Sequence, residues 1–153
     1  GLSCPSLNEE TGEELVDVRT RLTIRQHIPG DVIATFAYPS TIIEATESGQ
    51  ILSFNPDFYE GRIVEYLSNG RDRVMLPGPC YRTDMVIHHG ASGGPVAGPS
   101  GRVFGINSTG FDGTNDFYIS RINEIFSLEI EAGESDSITI QQLVNEGAVT
   151  VDP

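Results

Sequence analysis

Residues 90 to 96 read Gly-Ala-Ser-Gly-Gly-Pro-Val, and a serine flanked by glycines on a tight turn suits acyl transfer. Gly90 carries no Cβ, so its N–H can approach a substrate carbonyl closely. Ser92 supplies a hydroxyl and a second N–H. Two N–H groups aimed at one point make an oxyanion hole, often the largest single contribution to such catalysis. Gly93 and Gly94 leave the turn uncrowded, and Pro95 stiffens its exit. Ser92 is the candidate nucleophile, with Gly90 as its partner in the oxyanion hole. The competing reading is a glycine-rich hairpin loop, because a lone G-x-S-x-G is a weak signal.

A serine hydroxyl is a poor nucleophile without a base, and the base needs an orienting acid. The histidines are His27, His88 and His89. His27 lies just before Pro29, and His88 and His89 read more readily as an exposed loop pair than as a base. Asp17 could be taken for the orienting acid, but reads more readily as a solvated strand carboxylate. The chain thus offers a nucleophile without an evident base. No Cys/His cluster has metal-ligand spacing, and no glycine-rich phosphate loop is present, so no cofactor is expected. Cys4 and Cys80 leave two arrangements open: a disulfide pinning the N-terminal arm, or two free thiols.

The elements that must position Ser92 follow from composition and pattern. The 153 residues suit one domain. With 17 glycines and nine prolines, many turns and short strands are expected. All nine basic residues are arginine, against 22 acids, and the net charge of −13 argues against nucleic acid and anionic membranes as partners. No apolar run approaches the ~20 residues of a membrane span. The compartment stays open between extracellular and cytoplasmic.

Partial alternation over 15–24 predicts a strand, broken at Pro29-Gly30. Val32 to Tyr38 reads as a mostly apolar strand. Thr41 to Ala45 and Gln50 to Phe54 read as a hairpin about Ser48-Gly49. Gly61 to Leu67 and Arg73 to Leu76 read as a second, turning at Asn69-Gly70, a strong hairpin dipeptide. Thr83 to Ile87 reads as the strand leading to Ser92. Pro95 to Ala97 and Arg102 to Ser108 read as a third hairpin, and the strand after Ser92 excludes the strand-to-helix nucleophile elbow. Phe117 to Ile119 is a short strand. Ser120 reads as the N-cap of a short helix with Ile122, Ile125 and Phe126 on one face. Beyond a polar linker, Ile140, Leu143 and Val144 suit a further helix ending at Gly147.

These segments, in this order, resemble the second barrel of trypsin-like serine proteases, most nearly the HtrA-like branch. The residues that carry the resemblance are Gly30-Asp31-Val32-Ile33-Ala34 with Ala37-Tyr38-Pro39, Thr83-Asp84, the Ser92 turn, Gly105-Ile106-Asn107-Ser108 and Asp116-Phe117-Tyr118-Ile119. The resemblance spans roughly residues 30 to 130. It implies an all-β fold: an antiparallel six-stranded Greek-key barrel with a short C-terminal helix and an extra C-terminal segment. The expected division is an N-terminal arm and strand over 1–28, the barrel over 29–130 and a C-terminal extension over 131–153. Interior positions should include Ile33, Phe36, Ile63, Val74, Val96, Phe104 and Ile106.

The resemblance also implies a serine endopeptidase acting on a protein or peptide. Val86 falls at the base of the primary pocket, His88 and His89 where the family has its wall and lip, and Ile87 and Asn107 count with His89 among the substrate-binding residues. Ser108, Thr109 and Gly110 form the wall that pairs with substrate backbone as an added strand. An apolar Val86 implies a preference for small aliphatic residues. Asp116 stands where HtrA-like members usually have glycine, and offers arginine or lysine as the alternative. Ala91 departs from both the aspartate of trypsin and the asparagine usual in the HtrA-like branch, which speaks against activation by a new N-terminus. In the family, histidine and aspartate come from a first barrel that this chain does not display, and His27 lies outside its histidine motif. The chain then carries the nucleophile, oxyanion hole and pocket, and would associate with an N-terminal protease half or with itself. A non-catalytic binding module on the same fold is the alternative function. An unrelated small barrel with a chance glycine loop is a third.

Overall fold

The computed structural model describes residues 11, 20–38, 42–46, 49–88, 90–110, 114, 116–131 and 137–153. Its strands in chain order are β1 (Arg21–Thr23), β2 (Val32–Ala37), β3 (Ile42–Thr46), β4 (Gly49–Ser53), β5 (Asp57–Leu67), β6 (Cys80–Thr83), β7 (Pro95–Ala97), β8 (Val103–Gly110), β9 (Phe117–Arg121), β10 (Glu129–Glu131), β11 (Ser137–Thr139) and β12 (Thr150–Asp152). One helix, α1 (Ile140–Asn145), lies between the last two.

Six strands close a ring in the order β2–β5–β6–β9–β8–β7 and back to β2, every pair antiparallel. This is the expected barrel, and closure gives each of the six a strand neighbour on both sides. The core holds Ile33, Ile63, Tyr81, Met85, Val96, Phe104 and Ile119, each at most 2% exposed. Ladder slips on β5, β7 and β8 interrupt the pairing where the sheet curls. Outside the ring, β1 joins β8 in parallel at Leu22 and Val103, and β12 joins β1 in parallel.

Three of the seven expected interior positions are corrected. On β2 the inward residues are Ile33, Thr35 and Ala37. Phe36 has the opposite parity, and period-2 geometry turns it outward, 40% exposed. Val74 is 84% exposed, because residues 73–76 form no strand. The Asp72 carboxylate accepts the N–H groups of Val74 and Met75, and the Leu76 carbonyl accepts those of Arg71 and Asp72. The segment is therefore a folded loop, and the partner of β5 is β6. Ile106 is only half-buried, because its neighbour Asn107 takes the inward position on β8.

Three element assignments also change. The strand expected over Thr83–Ile87 ends at Thr83, and 84–88 has no ladder. Ser120 is a strand residue facing Cys80 and Ile106, so it caps nothing. The helix expected behind it is a single 3-10 turn, Ile122–Ile125, with Arg121 at its N-cap. Of the strand expected over 15–24, only Arg21–Thr23 falls among the described residues as a strand. The hairpins β3–β4 and β7–β8 form as expected. So does α1, whose Thr139 and Gln142 close a capping box. Gly147, at φ +77, follows its C-cap.

Candidate active site

The Ser92 loop is two turns in succession. Ala91 N–H donates to the His88 carbonyl at 3.3 Å, and Gly94 N–H to the Ala91 carbonyl at 3.0 Å. Gly90 and Gly93 occupy the third positions at φ +91 and +86. A non-glycine residue is strained there, so the glycine spacing is a backbone requirement of the paired turns. Gly94 answers to a different constraint: a Cβ there would stand 3.0 Å from the Ala91 carbonyl oxygen and 3.2 Å from that of Phe36. The turn is thus seated directly on β2.

The loop is tied to β8 on its other side. Gly93 N–H donates to the Asn107 carbonyl at 2.8 Å, and Asn107 N–H to the Gly94 carbonyl at 2.9 Å. Against β9 the ladder steps from Asn107–Ile119 to Thr109–Tyr118, which makes Ser108 the bulged residue. Bulges free a strand residue from its ladder and re-aim it. Here the Ser108 carbonyl accepts the Ser92 hydroxyl at 3.2 Å. Ser92 is exposed. The N–H groups of Gly90 and Ser92 donate to no acceptor among the described residues. A hydroxyl and two unspent N–H donors therefore lie within three consecutive residues on the surface.

Neither described histidine is bonded to Ser92. His27 Nδ1 stands 2.9 Å from Asp31 Oδ2, and the His27 ring lies against Phe104 and close to Gly98. Gly98 is at the far end of β7 from the Ser92 turn, about 13 Å away at the strand rise of about 3.3 Å per residue. Asp31 is held below the usual carboxylate range, first by the Ile28 N–H and then by His27. His27 and Asp31 thus form a pair remote from the nucleophile. His88 Nδ1 lies 3.2 Å from the Tyr59 hydroxyl. Burial, followed by the charge of Asp57, pushes the Tyr59 phenol up, so that hydroxyl stays protonated and able to donate. Asp17, His89 and Cys4 lie outside the described residues, and Cys80 is a buried free thiol.

The expected pocket residues spread over three surroundings. Val86 is 51% exposed between the buried Met85 and the half-buried Ile87, which packs on the core. Ser108 and Thr109 are half-buried and Gly110 is exposed along β8. Thr109 Oγ1 accepts from Arg71 at 2.7 Å, and the Arg71 guanidinium lies over the Tyr118 ring. The Asn107 side chain turns inward, 2% exposed, so only its backbone faces the turn. Asp116 is paired: its carboxylate is 3.2 Å from Arg82, which also reaches Glu65. Sequence reasoning passed over Thr35, Arg71 and Arg82. Thr35 could have been found by counting in twos from Ile33. Arg71 and Arg82 carried no such signal, because the site residues they bond, Thr109 and Asp116, are distant in sequence.

No family model and no curated protein sequence matches the chain. Its fold does match solved structures. An inactive serine-to-alanine form of Rv3671c from M. tuberculosis aligns at a TM-score of 0.51 and 18% identity, over 84% of this chain and 53% of that one. The Rv3671c protease in its inactive form aligns at 0.50 and 20% identity, over 69% of this chain and 50% of that one. A serine-to-alanine form of the HtrA-type protease AlgW, solved with a decapeptide, aligns at 0.51 and 18% identity, over 90% of this chain and 36% of that one. The fold is that of a trypsin-like barrel as found in HtrA-type proteases. The chain spans about half the length of the first two structures and about a third of the last.

Proposed function

We propose that this chain is the nucleophile-bearing barrel of a serine endopeptidase. Ser92 Oγ attacks the scissile carbonyl and forms an acyl-enzyme, which water then hydrolyses. The N–H groups of Gly90 and Ser92 receive the oxyanion. The observation that carries this reading is that both donors are unspent while every other strong feature of the loop serves to hold them. The base and its orienting acid come from a second protease half, as the remoteness of the His27–Asp31 pair supports. Ser108 to Gly110 pair with an extended peptide along the end of β8. The preferred cleaved residue is small and aliphatic. The Arg82–Asp116 pair weighs against the basic alternative, since that carboxylate is already engaged.

A fluorophosphonate tests the assignment. The full-length protein should label at Ser92, Ser92→Ala should abolish labelling, and residues 1–153 alone should label poorly. Labelling elsewhere, or full activity in Ser92→Ala, overturns it. A non-catalytic peptide-binding module is the second reading, favoured by the absence of a described histidine bonded to Ser92. A folded full-length protein that binds peptide but never labels would establish that reading instead.

The apolar surface supports association with a second half or with another copy. Phe36, Tyr38, Phe54 and Phe58 are all exposed and form a chain of ring contacts at 5.7 to 6.1 Å. Exposed patches of this kind mark interaction surfaces. No helix among the described residues is long and apolar enough to cross a membrane.

A further inference from the structure

We propose that Thr35 and Asn107 are positioning residues, a buried polar relay that holds the Ser92 turn from beneath. Its catalytic consequence rests on the reading of Ser92 as nucleophile; the relay itself does not. Thr35 is 4% exposed and Asn107 2% exposed, in an interior made mostly of residues such as Ile33, Val96 and Phe104. Asn107 Nδ2 donates to Thr35 Oγ1 at 2.8 Å. The Thr35 hydroxyl donates in turn to the Pro95 carbonyl at 2.7 Å. One hydroxyl can accept and donate at once, so both bonds coexist.

The relay ends on the loop from two directions. Asn107 grips Gly93 and Gly94 through its own carbonyl and N–H, and Thr35 holds Pro95, the next residue. Three consecutive residues after the nucleophile are thereby fixed to β2 and β8. The Asn107 side chain lies directly beside the turn, since a Cβ on Gly94 would stand 3.4 Å from its Nδ2. Polar side chains are costly in a core unless bonded, and Asn107 Oδ1 is buried with no partner among the described residues. An apolar pair of similar size would fill this space without that cost. What the polar pair adds is direction: two bonds that fix where Pro95, and hence Ser92, stands. Catalytic geometry is sensitive to displacements of this scale.

Thr35→Val removes the hydroxyl at nearly constant shape, and Thr35→Ser restores it. In the full-length protein, Thr35→Val should speed amide exchange at Gly93 and Gly94 about tenfold relative to amides of β5 and β6. It should lower kcat about tenfold to hundredfold while KM stays within about twofold, and Thr35→Ser should recover both. Unchanged exchange at Gly93 and Gly94 overturns the relay, as does a uniform rise across the barrel. Localised exchange in a protein that never labels at Ser92 upholds the relay and overturns the protease reading. A measurement on the unmutated protein stands even where Thr35→Val does not fold. The Asn107 side-chain amide protons should exchange about a hundredfold more slowly than those of exposed Asn69; equal rates overturn the relay.

Discussion

The closed ring and the β3–β4 hairpin are built from the same vocabulary and reach opposite ends. Both pair antiparallel strands rich in isoleucine. In the ring, Ile33, Ile63 and Ile119 are at most 2% exposed. In the hairpin every described residue is exposed, and Ile43 is 61% and Leu52 50% exposed although they face each other across the ladder. Strand pairing satisfies backbone donors and acceptors; it does not by itself remove side chains from water. Burial comes from curling the sheet until its inner face meets itself. A two-stranded ribbon cannot do that, and is marginal until something covers it.

The comparison is broken most forcefully from inside the ring. Phe104→Ala removes a side chain that is 2% exposed and stacks edge-on against Tyr81, and should cost about 3–5 kcal/mol in urea unfolding. A loss below about 1 kcal/mol would mean that the ring does not hold the fold. The folded loop over 70–76 is an intermediate case, exposed at Val74 and Met75, buried at Leu76 and internally bonded. Asp72 is lowered from 3.8 to about 2, first by the Met75 N–H, then by the Val74 N–H and Arg71. A depressed carboxylate stabilises above its unfolded value and loses that contribution as pH falls through the folded one. Amide protection at Val74 and Met75 should therefore hold above about pH 4 and fade toward pH 2. Asp72→Asn should remove that dependence, and protection that persists at pH 2 would refute it.

In the hairpin, Ile43→Ala and Leu52→Ala should each change stability by less than about 0.5 kcal/mol in residues 1–153. Ile43→Asp with Leu52→Asp should instead reduce association seen by sedimentation, and a larger stability loss than association loss would show that the hairpin is covered within the chain. The smallest effect belongs to Asp116→Asn. Its ion pair with Arg82 is 43% and 32% exposed at its two side chains, and such pairs contribute about 0–1 kcal/mol. Thermal unfolding should move hardly at all.

What was legible in the sequence is what local chemistry dictates. The Ser92 turn could be read because positive φ demands glycine. The β3–β4 and β7–β8 hairpins could be read because apolar runs bracket turn residues. The errors arose where a distant partner decides. Val74-Met75-Leu76 after Asn69-Gly70 looks like a returning strand, yet Asp72 captures its N–H groups and the true partner of β5 begins at Cys80. Phe36 looks like core, yet parity gives the inward place to Thr35, whose hydroxyl finds a partner 60 residues away in Pro95. Of the candidate site, the serine, the glycines and the end of β8 lie together, while the internal setting of Asn107 and the Arg82 partner of Asp116 required the fold.

The parallel pairing of β1 with β12 has a mechanical meaning. The register runs from Arg21 with Thr150 to Thr23 with Asp152, so a pull on Thr20 and a pull on Pro153 point in opposite directions along the two strands. Force applied at those points slides one strand past the other and loads all their hydrogen bonds at once, where a hairpin would open one bond at a time. Asp152 adds a lateral catch, since its carboxylate bonds both Arg21 and Arg102. Arg102 immediately precedes β8, the strand that supports the Ser92 turn. Tension along the chain is therefore borne first by the β1–β12 pairing and the Asp152 ion pairs.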